Sequence, residues 1–254
     1  MISNKKITIL LPARFSSTRI KNKLLKKLKG IPLILHTIFR VKMIKNIHEI
    51  IVCTDNLKIK NLVEKYGFKC VMTSLKHKNG TERIAEVSKF TKADLFIDVH
   101  SDEAVFNPKD VEKLINFHLK NSHFDIVVPH KVSKISGGKN IVKMVFNDNK
   151  KILYFSRSEI PFAFRVQNNK FFHHLDFISF KPSSLRKYSK LKQRNLEKIE
   201  GIELMRALEN EMVIGTLQIK TNSFSINTPS DFSKAKKYLD KEKYFKKYHE
   251  KIKL

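Results

Sequence analysis

The stretch "KITILLPARFSSTRIKNK", residues 6–23, indicates how this chain folds. Its first half is an apolar run that ends at Pro12, which is typical of a buried β-strand. A polar loop follows at once and spaces Arg14, Arg19 and Lys23 four or five residues apart. Cations that directly follow a first core strand can hold a triphosphate through charge-assisted hydrogen bonds. The stretch therefore predicts a strand that leads into a candidate phosphate-binding loop.

The loop by itself leaves a second interpretation open. It contains neither GxxxxGK[ST] nor GxGxxG, so the two common glycine-rich phosphate motifs are excluded. Three cations in a polar stretch are also what an ordinary solvated loop contains, and the loop alone favours that explanation. The rest of the chain has to decide between the two.

Strands and amphipathic helices alternate through the first half of the chain. This alternation predicts a mostly parallel central sheet with helices on both faces. Ligands of such sheets lie at the carboxyl ends of the strands, so the opening loop and the turn "HSDE", residues 100–103, are expected at one edge. One helix is expected to begin at Thr81, and another to end at Gly67 in a left-handed conformation. The predicted strands are "KITILLP", "EIIVCTD", "KCVMT" and "ADLFIDVHSDE".

The pattern changes after about residue 122. Several strands follow one another there, namely "FDIVVPH", "NIVKMVFN", "KILYFSR" and "HHLDFISF". Two helices then bracket a short pair of strands near "LQIKTNSFSIN", residues 217–227. Because no Gly-, Ser- or Pro-rich linker marks a boundary, we expect a smaller β-rich lobe within one α/β domain.

The formal net charge of +27 would suit a protein that binds a polyanion. The lysines are spread along the whole chain, however, and they accompany many Ile, Asn and Phe residues, as expected when an AT-rich genome biases codon choice. Compositional drift is therefore the preferred explanation, and a polyanion-binding surface is the alternative. The chain has no RRM, KH or zinc-finger signature, so nucleic acid is not the expected partner.

Two cysteines and the hydropathy pattern exclude further classes of protein. Cys53 and Cys70 lie in apolar runs without metal-ligand spacing, which argues against a disulfide framework and against a zinc site. No apolar run reaches the roughly 18–20 residues that span a bilayer. A soluble cytoplasmic protein is expected.

Seven segments, taken in chain order, carry a resemblance that extends to about Leu239. The segments are "PARFSSTRIKNK", "KHKNGTERIAEV", "HSDE", "ILYFSRSEIPF", "HHLDFISF", "LEKIEGIELMRALEN" and "INTPSDFSKAKKYL". They are similar to segments of the 3-deoxy-manno-octulosonate cytidylyltransferases (CMP-Kdo synthetases). The resemblance implies a Rossmann-like nucleotidyltransferase fold, a homodimer and a role in lipopolysaccharide biosynthesis. It implies that CTP is coupled to the 2-hydroxyl of a 3-deoxy-2-ulosonic acid with release of pyrophosphate, and that Mg²⁺ is required.

The resemblance also implies how the single domain, residues 1–254, is organised. Residues 1–122 would form the nucleotide-binding part. Residues 123–228 would form the lobe that binds the sugar and makes the dimer contact. Residues 229–254 would form a C-terminal helix and a basic tail.

The same resemblance implies a role for particular residues. Phosphoryl-type transfer needs mainly positioning and charge stabilisation, so no protein nucleophile is expected. Arg157 and His174, placed at the sugar acid, have simpler explanations as a surface pair and a core histidine. The implied catalytic residues are Arg14, Arg19, Lys23 and Asp102. The implied triphosphate contacts are Arg14, Ser17, Arg19 and Lys23, and the implied nucleotide pocket is Asn79, Gly80, Thr81, Arg83 and His100. The implied sugar contacts are Arg157, Arg165, His174 and Glu203, and the implied magnesium ligands are Asp102 and Asn227.

Several positions depart from the family pattern within the implied site. "HSDEA" stands where the family has "QGDEP", and Asn227 replaces the second metal-binding aspartate. An amide oxygen can bind Mg²⁺ but brings no charge, so metal binding is expected to weaken. Asp98, which would alternate with His100 and Asp102 along one strand, could compensate, or it could be a solvated edge residue. Asp176, which replaces a glycine, is the other candidate.

Three hypotheses follow from these observations. The first is an active cytidylyltransferase for Kdo or a related sugar acid. The second is a non-catalytic paralogue that binds a nucleotide or a partner without turnover. The third, a basic nucleic-acid-binding protein, rests on the charge alone and ranks last.

Overall fold

The computed structural model of the protein describes residues 4–15, 20–167 and 170–252. Strands and helices alternate through its first half, as the hydrophobic pattern predicts. The strands within these ranges are β1 (Ile7–Ala13), β2 (Lys27–Leu28), β3 (Ile31–Pro32), β4 (Glu49–Thr54), β5 (Lys69–Met72), β6 (Leu95–Val99), β7 (Ile126–Ser133), β8 (Lys143–Phe146), β9 (Ile152–Ser156), β10 (Phe171–His174), β11 (Phe177–Phe180) and β12 (Ile214–Gln218). The α-helices are α1 (Leu33–Val41), α2 (Leu57–Lys65), α3 (Gly80–Ser88), α4 (Pro108–Lys120), α5 (Pro182–Tyr188), α6 (Asn195–Glu200), α7 (Met205–Leu208), α8 (Pro229–Lys241) and α9 (Lys243–Ile252).

Four parallel strands form the centre of the protein, in the order β5-β4-β1-β6. Successive side chains of β1 point to opposite faces of this sheet. Ile9 and Leu11 pack with α1, α2, α4, α8 and α9, whereas Leu10 packs with α3, α5 and α7. Both faces are therefore covered by helices, which is why these strands are apolar along most of their length. The predicted α/β fold with a mostly parallel centre is confirmed.

The strands of the second half continue the same sheet. β11 pairs antiparallel with β6 and with β7, and β12 pairs parallel with β7. β10 joins β7 to the antiparallel pair formed by β8 and β9. Within the described residues this gives one ten-stranded sheet, while β2 and β3 form a separate two-stranded sheet. The β-rich part thus extends the central parallel sheet from its β6 edge.

The predicted pair of strands at residues 217–227 is wrong. β12 ends at Gln218, and the described chain that follows up to α8 contains no strand. Thr221 and Ser223 form a local side-chain turn there, because the Thr221 hydroxyl lies 2.7 Å from the Ser223 hydroxyl and accepts its backbone N–H at 3.2 Å. Such local hydrogen bonds compete with strand pairing.

Two helix ends differ in how well the sequence predicted them. Gly67 follows α2 with a φ of +75°, which confirms the predicted left-handed residue. The predicted start at Thr81 is wrong, because the Asn79 side chain caps α3 by accepting the backbone N–H of Glu82 at 2.8 Å. Gly80 is then the first helical residue, and a Cβ there would lie 3.2 Å from the Pro12 ring, so a larger residue would require the two to move apart by a few tenths of an ångström.

The C-terminal helices are part of the packed structure. Tyr248 of α9 donates a hydrogen bond to Nδ1 of the buried His36 at 2.7 Å. Arg40 of α1 forms a 2.6 Å ion pair with Glu242, between α8 and α9. Among the residues that the structure describes, no helix combines the length and the apolar character that crossing a membrane requires.

Candidate active site

The opening loop emerges from the carboxyl end of β1, beside the turn that follows β6. Two of its implied phosphate contacts, Ser17 and Arg19, lie outside the described residues. Arg14 follows β1 directly and is exposed. The described chain resumes with Ile20 and forms a short 3₁₀ turn that begins at Lys23. The cations at the described ends of the loop are thus at the sheet edge where the sequence placed them.

Lys23 connects the two implied magnesium ligands. Its ammonium group forms an ion pair with Asp102, and both side chains are mostly buried, with 12% and 19% of their surface exposed. The same ammonium donates to the carbonyl of Ile226 at 3.0 Å and to Oδ1 of Asn227 at 3.4 Å. A carboxylate, an amide oxygen and a carbonyl therefore converge on one positive charge. Tertiary folding thus brings Asp102 and Asn227 together, as the family resemblance implies.

Arg83 has a different position from the one implied. It is 3% exposed, and its guanidinium donates to the carboxylate of Asp55 at 2.7 Å and to the hydroxyl of Thr73. Asp55 also accepts the backbone N–H of Phe15 at 3.1 Å. Arg83 therefore neutralises the carboxylate that holds the start of the opening loop. Asp55 is not among the site residues that the sequence predicts, although the acidic end of "EIIVCTD" is a signal for it.

The amino end of α3 faces the implied sugar site. The backbone N–H of Thr81 donates to the carboxylate of Glu203 at 3.2 Å, where the helix dipole favours a negative charge. The amide nitrogen of Asn79 lies 3.3 Å from the hydroxyl of Tyr188, which in turn donates to the carbonyl of Glu203. These contacts fix Glu203 against the segment implied to bind the nucleotide.

A group of acidic and imidazole side chains occupies the end of β6, and we call it the Asp98 cluster. Asp98 is completely buried, and its Oδ2 lies 3.8 Å from Nε2 of His100. Nδ1 of His100 lies 3.9 Å from Asp176, and Nδ1 of His174 lies 3.2 Å from the same carboxylate. One donor atom each of Asp98, His100 and Glu203 lie within 4.8 Å of one another. The members of the cluster are Asp98, His100, His174, Asp176 and Glu203.

The carboxylates of the cluster dominate its electrostatics. Burial raises the pKa of Asp98 to about 7, while the charge of His100 acts in the opposite direction. Burial disfavours the charged form of His100 as well, but Asp98, Asp176, Glu203 and Asp102 together raise the pKa of this imidazole to about 10. The structure therefore holds an excess of negative charge beside the implied sugar site.

Asp176 stays ionised within this cluster. Burial disfavours its charge, but the hydrogen bond and charge of His174, the charge of His100 and the hydrogen bond of Ser225 hold the pKa of this carboxyl well below its usual range. Ser225 donates to it through a short hydrogen bond. Asp176 is thus engaged by His174 and Ser225 rather than directed at Asp102.

Two expectations about Asp98 are wrong. It is not a solvated edge residue, because neighbouring strands and helices bury it completely. It does not alternate with His100 and Asp102 along one strand, because β6 ends at Val99 and the chain turns there. Asp102 faces Lys23, whereas Asp98 and His100 meet Glu203. Asp98 and Asp102 therefore lie in different parts of the site.

The two arginines implied at the sugar acid differ from each other. The guanidinium of Arg157 donates to three backbone carbonyls, those of Glu200 at 2.8 Å and of Lys139 and Gly201 at 3.1 Å. It thus holds the chain just before Glu203. Arg165 lies in an exposed loop.

Two residues of the "HSDE" turn, Ser101 and Glu103, have a contact and a burial that the sequence did not predict. The Ser101 hydroxyl donates to the carbonyl of Pro12 at 2.7 Å, which ties the turn to the end of β1. Glu103 is 2% exposed, and its Oε1 has no hydrogen-bond partner among the described residues. Burial, together with the charges of Asp176 and Asp102, raises the pKa of Glu103 to about 8.

Comparison with known proteins identifies the family of this chain. The cytidylyltransferase family model matches residues 8–214. A 3-deoxy-manno-octulosonate cytidylyltransferase of Thermodesulfovibrio yellowstonii is 36% identical over 248 residues, which cover 91% of this chain and 97% of that protein. This chain belongs to the 3-deoxy-manno-octulosonate cytidylyltransferase family. The resemblance seen in the seven segments is confirmed, and the protein is a nucleotidyltransferase.

Two further proteins are similar to this chain over nearly its whole length. An 8-amino-3,8-dideoxy-manno-octulosonate cytidylyltransferase of Shewanella sp. (strain W3-18-1) is 34% identical over 244 residues, 92% of this chain and 98% of that protein. The solved structure of a CMP:2-keto-3-deoxy-manno-octonic acid synthetase complexed with CTP matches with a TM-score of 0.87 and 28% identity. That match covers 92% of this chain and 98% of the solved chain.

Proposed function

We propose that the protein transfers CMP from CTP to the 2-hydroxyl of a 3-deoxy-2-ulosonic acid, Kdo or a related sugar acid, and releases pyrophosphate. The CMP-sugar would serve lipopolysaccharide biosynthesis. The observation that carries the proposal is the convergence of Asp102, Asn227 and the Ile226 carbonyl on Lys23 at the carboxyl ends of β1 and β6. This is the edge of a parallel sheet at which nucleotides bind. The names of the relatives support the substrates.

The residues around Lys23 fit a magnesium ion. The three oxygens are the hard donors that Mg²⁺ prefers, and the Lys23 ammonium shows that they stabilise a cation at this position. Asp102 and Asn227 would hold the ion. When bound, it would neutralise charge on the phosphates of CTP. Asn227 contributes no negative charge, so Asp102 is the charged protein ligand in this proposal.

The remaining residues act by binding and positioning. Arg14, Arg19 and Lys23 would contact the triphosphate and stabilise the charge that develops as pyrophosphate leaves. Asp55 and Arg83 hold the start of this loop in place. Little covalent chemistry is required of the protein, since catalysis of phosphoryl-type transfer rests on orientation and charge.

The sugar acid would lie beside the Asp98 cluster. Glu203 is fixed there by the N–H of Thr81, and Nδ1 of His174 lies 3.2 Å from the carboxylate of Asp176. Arg157 supports the backbone around Gly201, and its three contacts with carbonyls assign it a positioning role. Arg165 is the exposed cation that remains for the carboxylate of the sugar acid.

A pyrophosphate-release assay with CTP, Mg²⁺ and a panel of ulosonic acids tests the proposal. We expect turnover with at least one sugar acid, and its loss in Asp102→Asn. A wild-type protein that binds CTP in calorimetry but releases no pyrophosphate with any sugar acid would support the non-catalytic alternative instead.

We also propose that the protein is a homodimer that associates through its second half. Phe162, Phe164 and Val166 lie in one loop of that half and are each 80–82% exposed, an apolar surface that association would cover. Light scattering of the wild type and of Phe162→Ser/Phe164→Ser tests this, with Phe90→Ser, at another exposed phenylalanine, as the control. A monomeric wild type would contradict the proposal.

A further inference from the structure

The Asp98 cluster contains ligand atoms that form no hydrogen bond with any residue in the described part of the chain. Asp98 is completely buried, yet neither of its carboxylate oxygens has a hydrogen-bond partner among the described residues. Nε2 of His100, which faces it, also lacks one. A buried carboxylate without hydrogen bonds is unfavourable unless a cation balances its charge or it takes up a proton. The cluster is therefore incomplete as a purely protein structure.

The distances within the cluster leave room for a cation. Asp98 Oδ2 and His100 Nε2 are 3.8 Å apart, which is too long for a hydrogen bond. Two donors that each lie about 2.1 Å from one ion are separated by about 3.0–4.2 Å, depending on the angle between them. The donor atom of Glu203 completes a group of three within 4.8 Å. The Asp98–His100 separation thus falls in the range for two ligands of one ion, and a small rotation of the Glu203 side chain would complete the set.

The surroundings place three donors around one point. Nε2 of His100 faces Asp98, while Asp176 lies on the Nδ1 side of the ring at 3.9 Å. Asp176 is in turn held by His174 and by Ser225. Glu203 is held by the Thr81 N–H, and Asp98 is positioned by its place on β6.

We propose that Asp98, His100 and Glu203 bind one divalent transition-metal ion of the Mn²⁺, Fe²⁺ or Zn²⁺ class. An imidazole with two carboxylates selects these ions over Mg²⁺, which prefers oxygen ligands and water. The site is distinct from the Asp102–Asn227 position, because Asp102 faces Lys23 instead. The ion would lie beside the sugar-binding side chains of the proposed function. Its binding to the protein requires neither CTP nor turnover.

Mn²⁺ binding to the full-length protein, without nucleotide or sugar, tests the proposal. We expect one Mn²⁺ per chain in calorimetry, and a ¹⁴N coupling from imidazole in pulsed electron paramagnetic resonance. His100→Gln should remove the ¹⁴N coupling, and Asp98→Asn should weaken binding by about tenfold or more. Asp102→Asn, which removes a ligand of the separate triphosphate position, should leave the ¹⁴N coupling in place. Asp94→Asn, at an exposed carboxylate paired with Lys5, is the control for charge alone.

The possible results separate this site from the nucleotide site. Absence of Mn²⁺ binding by the folded wild type would overturn the proposal. Binding that survives both Asp98→Asn and His100→Gln but is lost in Asp102→Asn would place the ion at the triphosphate position. That result would also overturn the proposal. Should Asp98→Asn fail to fold, the ¹⁴N coupling in His100→Gln, whose imidazole is partly exposed, still decides. Because none of these metal-binding measurements uses CTP, their outcome does not depend on whether the protein catalyses the proposed reaction.

Discussion

Lys23 and Asp102 form an ion pair across the sheet edge, although 79 positions separate them in the chain. The pair connects the opening loop to the turn after β6. It also places the ammonium of Lys23 beside Asn227, which follows a different part of the chain. One side chain thus marks the position at which phosphate, metal and protein charges would meet.

Lys23→Ala is expected to weaken CTP binding about 10–100-fold, since a hydrogen bond to a charged group contributes about 1.5–3 kcal/mol. Calorimetric titration with CTP measures it. Lys21→Ala, at an exposed lysine of the same loop, is the matched control and should bind as the wild type does. If Arg14→Ala, Arg19→Ala and Lys23→Ala all keep the wild-type affinity, the loop does not bind the triphosphate.

Asn227→Asp should lower the magnesium concentration needed for half-maximal pyrophosphate release. The new carboxylate would lie near Asp102 and would add the negative charge that the amide lacks. The measurement is the rate against Mg²⁺ concentration, with Asn222→Asp, at an exposed asparagine, as the control. An unchanged or higher magnesium requirement would show that a second carboxylate is redundant here.

Arg83→Met should destabilise the protein by about 3–5 kcal/mol, because it leaves the mostly buried carboxylate of Asp55 without its partner. Urea denaturation measures the free energy of unfolding. Lys69→Met removes the exposed ion pair with Glu49 and should cost less than about 1 kcal/mol. Equal effects of the two substitutions would contradict a structural role for the buried pair.

His36 and His118 should each lower the free energy of unfolding as the pH drops from about 6.5 toward 5, while Asp98 and Glu103, whose pKa values burial raises to about 7 and 8, act in the opposite direction. Burial lowers the pKa of His36 and of His118 from 6.5 to about 4. In this pH range the unfolded chain therefore takes up protons that the folded chain excludes, so stability present above pH 6.5 is lost. Each histidine accounts for roughly 2 kcal/mol by pH 5.

Denaturation curves at several pH values test this. His118→Gln should lose less stability across that range than the wild type does, and His48→Gln, at an exposed histidine, should follow the wild type. The same pH dependence in His118→Gln and in the wild type would contradict the prediction.

The fold was predictable where the information is local. The apolar run of β1 and its alternation with helical patterns are properties of neighbouring residues, and they predicted the parallel centre of the sheet correctly. The start of α3 was misplaced because Asn79 and Thr81 are both good capping residues, and only the contact of Gly80 with Pro12 decides between them.

The sequence by itself determined that this is a nucleotidyltransferase of the Kdo cytidylyltransferase family, because ordered motifs and hydrophobic periodicity are written along the chain. Only the tertiary structure decided what each charged side chain does. Arg83 is neutralised by Asp55, and Asp98 is buried against His100. Burial and pairing depend on residues that are distant in the chain, so no local pattern can show whether a charge is free for a ligand or is already bound within the protein.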